Sequence, residues 1–227
     1  MFSTSPRVTI PDELVRPELQ LIAKNGYQFD KPHEVVDIFE KKVAKFAGAK
    51  YAVAVDSCSN GLFLCLTYLK ASGIIRLPKH TYLSVPMQIL HAGCQIEFTD
   101  TDWVGKYQLD PYLIWDAAGQ WKPDMYESGF HVTSFQFKKP IPIGRGGMIL
   151  TNDINAYNWM QRARYDGRDI TVFYPDDNPE FIGWHFYMTP EDAARGILLM
   201  DALPLSYDDV VGSDVCIDIS TKSIFNK

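Results

Sequence analysis

The strongest constraint on the fold is an alternation of short, apolar runs with segments in which apolar residues recur at helical spacing. The runs are rich in aromatic or β-branched residues, as buried strands are, and they cover residues 51–55, 74–77, 95–99, 112–115, 131–135 and 147–151. Strands that alternate with helices are usually joined by crossovers. The pattern therefore predicts an α/β fold with a mainly parallel sheet between helices.

Helix-period segments lie between most of these runs. They are expected at residues 36–46, 59–69, about 84–92, about 153–164 and after residue 189. The last helix has the clearest start, because Thr189 can cap it, Pro190 suits its first turn and Asp192 places a carboxylate at the third position. The stretch 174–180 is rich in Asp and Pro and is predicted to be a loop.

Composition excludes several classes of protein. The 227 residues are 46% apolar and 22% charged, with a net charge of −6, which is typical of a soluble globular protein and argues against nucleic-acid or membrane partners. No apolar run has the 18 or so residues of a membrane span, and no secretory signal is evident. The four cysteines form no C-x-x-C pair and the five histidines are scattered, which predicts a cytoplasmic protein with reduced thiols and no metal site.

Two segments place polar groups where α/β sheets bind ligands, at the carboxyl ends of strands and at helix N-termini. Residues 55–61 run from a strand into a helix through Ser57 and Ser59, which suits a phosphate, although Ser59 could simply cap the helix. Asp116 ends an apolar strand and precedes two alanines. This carboxylate could be catalytic or orient a cofactor, and it could also be a loop cap.

A third segment carries two adjacent lysines. Lys138 and Lys139 follow the strand at 131–135, and a glycine-rich turn at 144–147 leads into the next strand. A lysine in an apolar site can lose its proton and form a Schiff base with a carbonyl, whereas a solvated basic loop is the alternative. Residues 138–168 hold six cationic side chains against two aspartates, a net +4, which suits an anionic small molecule or else a mixed helix face.

Taken in chain order, these segments resemble the DegT/DnrJ/EryC1/StrS family of sugar aminotransferases, which have the fold-type I aspartate aminotransferase architecture. The resemblance covers about residues 35–204. The matching stretches are residues 39–47, 49–55, 56–62, 78–82, 91–94, 116–118, 134–147, 152–153, 162–167 and 183–194. The lysine segment is the most specific part, since Lys139 lies five residues after Ser134 and five before Gly144, as in the family.

The resemblance implies a pyridoxal 5′-phosphate-dependent transamination from an amino-acid donor, glutamate being expected, to a nucleotide-linked keto-sugar. It implies catalytic roles for Lys139, as the Schiff-base lysine, and for Asp116, as the partner of the pyridine nitrogen. The other implied cofactor contacts are Cys58, Ser59 and Ser134 at the phosphate, Tyr82 stacked on the ring, Ala118, and His185 reaching the phosphate of the partner subunit in a homodimer.

The chain also departs from the family pattern. Cys58 replaces a glycine of the phosphate turn, Gly119 replaces Gln or His, His185 replaces Asn, Tyr187 replaces Arg and Arg145 replaces an acidic residue. Only 15 residues separate Asp100 from Asp116, where the family has a further strand and helix. The expected organisation is an N-terminal arm or helix at 1–34, a cofactor-binding large domain at 35–204 and a short tail at 205–227 in place of the family's C-terminal small domain.

Three functions are compatible with these residues. The first is the sugar aminotransferase. The second is the family's cofactor-dependent sugar dehydration, in which a histidine replaces the lysine, so Lys139 argues against it. The third is a non-catalytic or altered relative that binds pyridoxal phosphate or a sugar nucleotide, which the shortened elements favour.

Overall fold

The computed structural model describes residues 11, 14–203 and 211–226 of the chain. In order, the helices and strands are α1 (Pro17–Lys24), α2 (Glu34–Ala47), β1 (Tyr51–Val55), α3 (Cys58–Tyr68), β2 (Ile74–Pro78), α4 (Ser84–His91), β3 (Gln95–Thr99), β4 (Tyr107–Gln108), β5 (Ile114–Asp116), β6 (Phe130–Ser134), β7 (Gly147–Thr151), α5 (Ile154–Ala163) and α6 (Pro190–Ala202). The α/β class is thus confirmed. None of the helices in these ranges is both long and apolar enough to cross a membrane.

The helix ends follow local chemistry. The Thr189 hydroxyl accepts a hydrogen bond from Asp192 N at 3.1 Å, which confirms the predicted start of α6. The Asp153 carboxylate caps α5 in the same way. Helix α2 ends at Gly48, whose φ of 75° lies in the left-handed region that favours glycine.

The main sheet is mixed, not mainly parallel as predicted. Its strand order is β1-β7-β6-β5-β4, in which only β5 and β6 run parallel, while β2 and β3 form a separate parallel pair. Parallel neighbours need a crossover, usually a helix, but residues 109–113 and 135–146 connect β4 to β5 and β6 to β7 without one. These connections return the chain antiparallel.

Strand boundaries differ from the prediction where a turn intervenes. Strand β5 begins at Ile114 and not at Tyr112, because Tyr112 N donates to Leu109 O at 2.9 Å and closes a turn there. The pattern also missed β4, which has only two residues, and α1. The other five strands and the five predicted helices are present within a few residues of their expected bounds.

The sheet separates two apolar layers. Helices α1, α2 and α6 pack on one face, against alternate residues of β1 and β7 such as Ala52, Ala54 and Met148. Helices α3 and α5 pack on the other face, against Val53 and Ile149, and α4 covers α3. This layering directs the carboxyl ends of β1 and β5 and the N-termini of α3 and α4 toward one region.

The C-terminal residues that the structure describes, 211–226, return to this same region. Gly212 forms a bridge with Val104, and Asp218 forms one with His80. The Ser213 hydroxyl donates to Asp102 Oδ1 at 2.9 Å. The predicted boundary between residues 204 and 205, and the predicted arm before residue 14 apart from residue 11, lie outside the described residues.

Candidate active site

A buried carboxylate lies at the end of β5. Asp116 is 5% exposed, and its two oxygens receive different donors. Oδ1 accepts from Ala118 N at 3.0 Å and from Cys58 Sγ at 3.8 Å, while Oδ2 accepts from Tyr107 Oη at 2.6 Å. Burial raises the pKa of Asp116, and the hydrogen bond from Tyr107 is the first of the contacts that oppose this rise.

Lys139, and not its neighbour, is the lysine electrostatically coupled to this carboxylate. Its charge lowers the pKa of Asp116 and also the pKa values of the Cys58 and Cys216 thiols, although burial raises both thiol pKa values overall. Lys138 is exposed, and its Nζ lies 5.6 Å from the centre of the Phe137 ring. The two lysines therefore face different surroundings, and the role of Lys139 remains a prediction.

The turn after β1 forms the N-terminus of α3. Ser57 caps this helix by accepting from Asn60 N at 3.2 Å, so the alternative reading of Ser59 as the cap is wrong. The Ser59 hydroxyl instead lies 2.5 Å from that of Ser84, the first residue of α4. Because two helix N-termini converge at these hydroxyls, their partial positive charges favour an anion there.

The glycine-rich turn packs directly against this anion-favouring end. A Cβ on Gly147 would lie 2.5 Å from Cys58 N, so only glycine allows the approach. Ser57 and Gly146 form a parallel bridge beside it. Ser134 begins the same connection, and its hydroxyl accepts from Gln136 N at 3.3 Å. Backbone contacts thus hold the connection between β6 and β7, which carries Lys139, against the turn after β1.

Arg145 pairs with a carboxylate beside that turn. Its Nη2 donates to Asp56 Oδ2 at 2.6 Å and its Nε to Asp56 O at 3.1 Å. The acidic residue that the family carries at position 145 is thus replaced by a cation, and an aspartate at position 56 faces it. This pairing neutralises the Asp56 charge close to the anion-favouring helix end.

The net +4 of residues 138–168 does not form one anion-binding surface. Besides Arg145, three of its arginines are in ion pairs: Arg164 with Glu40, Arg162 with Glu180 and Arg168 with Asp177. The charges are therefore distributed among separate carboxylates.

Two predicted contacts stand apart from the enclosed cluster. Tyr82 is 74% exposed, so its ring is not packed in a pocket of this chain. His185 is exposed, and its Nδ1 lies 2.9 Å from Asp166 Oδ2. Its segment nevertheless lies beside the turn after β1, because Asp56 N donates to Phe186 O at 2.8 Å. The predicted roles of Tyr82 and His185 remain predictions.

Three residues of the site were missed by sequence reasoning. Thr81 and Tyr107 continue the hydrogen-bonded chain from Asp116, and both are buried. Cys216 lies in the C-terminal segment, where its carbonyl oxygen is 2.9 Å from His80 Nδ1. The charge of Lys139 lowers the pKa of its thiol, whereas burial and the charge of Asp116 raise it. Only Thr81 carried a signal, since it lies in a family-matching stretch.

Comparisons with known proteins bear on the family resemblance. A model of the DegT/DnrJ/EryC1/StrS aminotransferase family matches residues 13–118. The spore coat polysaccharide biosynthesis protein SpsC of Bacillus subtilis (strain 168) is 43% identical over 84 residues, which are 35% of this chain and 21% of that protein.

Solved structures share the fold over most of the chain. The sugar aminotransferase CalS13 from Micromonospora echinospora superimposes with a TM-score of 0.68 at 18% identity, over 89% of this chain and 68% of CalS13. DesI, solved in the presence of its TDP-sugar product, gives 0.62 at 20% identity, over 82% of this chain and 57% of DesI. The chain thus spans about a fifth of the curated relative and about two thirds or less of these enzymes. The match of residues 13–118 to the family model agrees with the resemblance seen in the sequence.

Proposed function

We propose that this chain binds pyridoxal 5′-phosphate and transfers an amino group from an amino-acid donor, with glutamate expected, to a nucleotide-linked keto-sugar. The observation that carries the proposal is the buried carboxylate of Asp116 at the end of β5, fixed by hydrogen bonds from Tyr107 and Ala118, with Lys139 at the family spacing. A buried carboxylate and a lysine that act on one another electrostatically are the two groups that this chemistry requires from the protein.

The side chains fit the three polar ends of the cofactor. Asp116 offers a carboxylate to a protonated ring nitrogen, and Lys139 offers an amine to the aldehyde. The first turn of α3, with the Ser59 and Ser84 hydroxyls and the backbone at Cys58, offers donors to the phosphate. Arg145 supports this fit by pairing with Asp56, which would otherwise repel the phosphate.

Each residue then has a definite task. When bound, the cofactor supplies an electron sink that weakens bonds at the substrate carbon next to nitrogen. The buried Asp116 carboxylate would hold the protonated ring nitrogen of the cofactor, because the surrounding protein leaves this carboxylate little contact with water. Lys139 Nζ accepts and returns the substrate proton. Ser134 and Gln136 fix the turn that leads to Lys139.

The keto-sugar substrate is supported by the relatives. SpsC is a polysaccharide biosynthesis protein, and DesI was solved with a TDP-sugar product. The exposed ammonium of Lys138, next to Lys139, offers a counter-charge for the diphosphate of such a substrate. The active form would be a cytoplasmic homodimer in which the exposed His185 faces the partner's phosphate. Light scattering at micromolar concentration tests the dimer, and a monomer alone would contradict it.

Reductive trapping tests the lysine. The protein is incubated with pyridoxal phosphate, treated with borohydride, digested and examined by mass spectrometry. We expect the label on Lys139, its loss in Lys139→Ala, and its retention in the matched control Lys138→Ala. A label on Lys138 alone, or no stable label at all, would refute the proposal.

A cofactor-binding relative without transaminase activity is the second candidate. The observation that favours it is β4, which is reduced to two residues where the family has a further strand and helix. Addition of glutamate to the loaded protein separates the two candidates. A transaminase loses the absorbance of the lysine-bound cofactor and releases 2-oxoglutarate, whereas a binding protein retains that absorbance with every amino donor.

A further inference from the structure

We infer that Tyr107 is a positioning residue for Asp116: its hydroxyl, fixed from the other side by Thr81, holds Asp116 Oδ2 so that one acceptor site of the carboxylate is left for the cofactor. This inference rests on the proposed function and assigns a role to a residue of β4. Neither the resemblance nor the spacing of motifs indicated this role.

The direction of the hydrogen bonds follows from the number of protons. A phenol has one proton, and an ionised carboxylate can only accept. Tyr107 Oη therefore donates to Asp116 Oδ2 across 2.6 Å. Its contact with Thr81 Oγ1 must then be a bond in which Thr81 donates. The result is a directed chain from Thr81 through Tyr107 to Asp116.

The number of acceptor sites on Asp116 gives this chain a consequence. A carboxylate offers about four acceptor positions. Ala118 N donates to Oδ1 and Tyr107 Oη to Oδ2, while the single proton of the Cys58 thiol is shared between Asp116 Oδ1 at 3.8 Å and Val132 O at 3.5 Å. On Oδ2, the oxygen that Tyr107 fixes, one acceptor position therefore remains. A ring N–H placed there would complete the set without displacing any of the three donors.

The surroundings of Tyr107 keep this arrangement rigid. Both Thr81 and Tyr107 are buried, and the Trp103 ring packs 4.8 Å from the Tyr107 ring. Trp103 is itself held by a hydrogen bond of 2.8 Å from its Nε1 to His80 O. Because the pKa of Tyr107 is raised well above its ordinary value by burial and by Asp116, the hydroxyl keeps its proton and remains a donor.

The experiment compares Tyr107→Phe with the matched control Tyr112→Phe. The Tyr112 hydroxyl contacts only Ser72 among the described residues, through its backbone at 2.8 and 3.1 Å, and lies in the loop between β4 and β5. In the cofactor-free protein, carbon-13 NMR of aspartate side chains gives the pKa of Asp116. We expect Tyr107→Phe to raise that pKa, because a donor to the charged form is lost, and Tyr112→Phe to leave it unchanged.

Binding of pyridoxal phosphate gives the second measurement. Without Tyr107, Asp116 loses its fixed orientation, so its charged hydrogen bond to the cofactor should weaken and Tyr107→Phe should reduce binding by up to about tenfold. When affinity is measured as a function of pH, the loss of binding at acidic pH should also begin at a higher pH, because only the ionised Asp116 can accept the ring N–H of the cofactor. An unchanged Asp116 pKa in Tyr107→Phe, or an unchanged affinity and pH profile, would overturn the inference.

The outcomes remain separable from those of the proposed function. If the wild-type protein bound no pyridoxal phosphate, the proposed function would fail and this inference with it, even where the NMR confirmed the link between Tyr107 and Asp116. If Tyr107→Phe did not fold, Thr81→Val would replace it, with a smaller upward shift expected. No shift in Thr81→Val would then overturn the inference.

Discussion

Glu40 and Asp116 are both buried in the part of the chain that the structure describes, and their partners differ. Glu40 in α2 is 3% exposed and pairs with Arg164, while Ala54 N donates to it at 2.6 Å and Gln161 Nε2 at 2.8 Å. Asp116 is 5% exposed, yet its hydrogen-bond donors are all uncharged: a phenol, a backbone N–H and a thiol. Burial raises the pKa of both groups.

The charge of the hydrogen-bond donors distinguishes a carboxylate that the fold itself neutralises from one that we propose to be functional. Glu40 has its own cation within hydrogen-bond distance, so its charge is compensated by the fold. Asp116 is fixed by neutral donors and has a cation only nearby, in Lys139. The fold therefore determines its orientation, and under the proposed function part of its compensating charge would come from the cofactor. The predictions below test this contrast from the largest expected effect to the smallest.

Glu40→Gln should give the largest loss of stability. Removing one partner of a buried ion pair leaves Arg164 uncompensated and costs about 3–5 kcal/mol of the free energy of unfolding. Urea denaturation measures it. The matched control is Glu97→Gln, which removes an exposed partner of Arg76 and should cost less than about 1 kcal/mol. Equal losses in the two variants would contradict a structural role for Glu40.

His131 extends the contrast to a buried base without a close counter-charge. It is fully buried on β6 beside Trp115 and Tyr126, and burial lowers its pKa from 6.5 to about 4, with Lys106 adding to this and Glu127 opposing it. The unfolded chain takes up the proton below about pH 6.5. Stability should therefore fall between about pH 6.5 and pH 4, by up to about 3 kcal/mol.

Variants at two histidines isolate this contribution. His131→Phe should flatten the fall in free energy of unfolding between about pH 6.5 and pH 4, because no group at this position titrates. His91→Phe, which changes an exposed histidine, should retain the fall. Denaturant titrations at a series of pH values measure both. A wild-type slope in His131→Phe would show that other groups cause the pH dependence.

Asp116→Asn should change stability far less than Glu40→Gln. The substitution removes a buried charge whose donors are neutral, so the gain from avoided desolvation offsets most of the weakened hydrogen bonding, within about 1 kcal/mol. Pyridoxal phosphate affinity should nevertheless fall. Denaturation and cofactor titration of the same variant measure the two effects. A loss of stability as large as that of Glu40→Gln would place Asp116 among the structural carboxylates.

The sequence reveals this contrast only in part. Strands β1, β3 and β7 were predicted at their observed bounds, because each is a continuous β-rich run. Asp116 and Lys139 were found because motif order places them. The partner of Glu40 was not found, since Arg164 lies 124 positions away and no local pattern links them.

The hydrogen-bonded chain from Thr81 through Tyr107 to Asp116 was not predicted, for a related reason. Thr81 and Tyr107 are 26 positions apart, and their contact exists only because the segment that carries Thr81 packs against β4. The sheet direction was misjudged because connections without helices were treated like crossovers. Periodicity therefore identifies buried elements, whereas polar pairing between distant segments requires coordinates.

The smallest effect on stability is expected at Asp56, an outer carboxylate that has its own arginine. Arg145 is 71% exposed on its side chain, so water screens the pair, and Arg145→Met should cost less than about 1 kcal/mol in the free energy of unfolding. The unpaired Asp56 would then repel an anion at the N-terminus of α3. Pyridoxal phosphate affinity should fall a few-fold, since one exposed charge pair contributes roughly that much free energy, and the loss should shrink at high salt.

The control is Lys138→Met, which removes a cation whose ammonium lies against Phe137, and little effect on affinity is expected. If both variants bound the cofactor alike, the Asp56–Arg145 pair would be a surface contact without influence on the anion site.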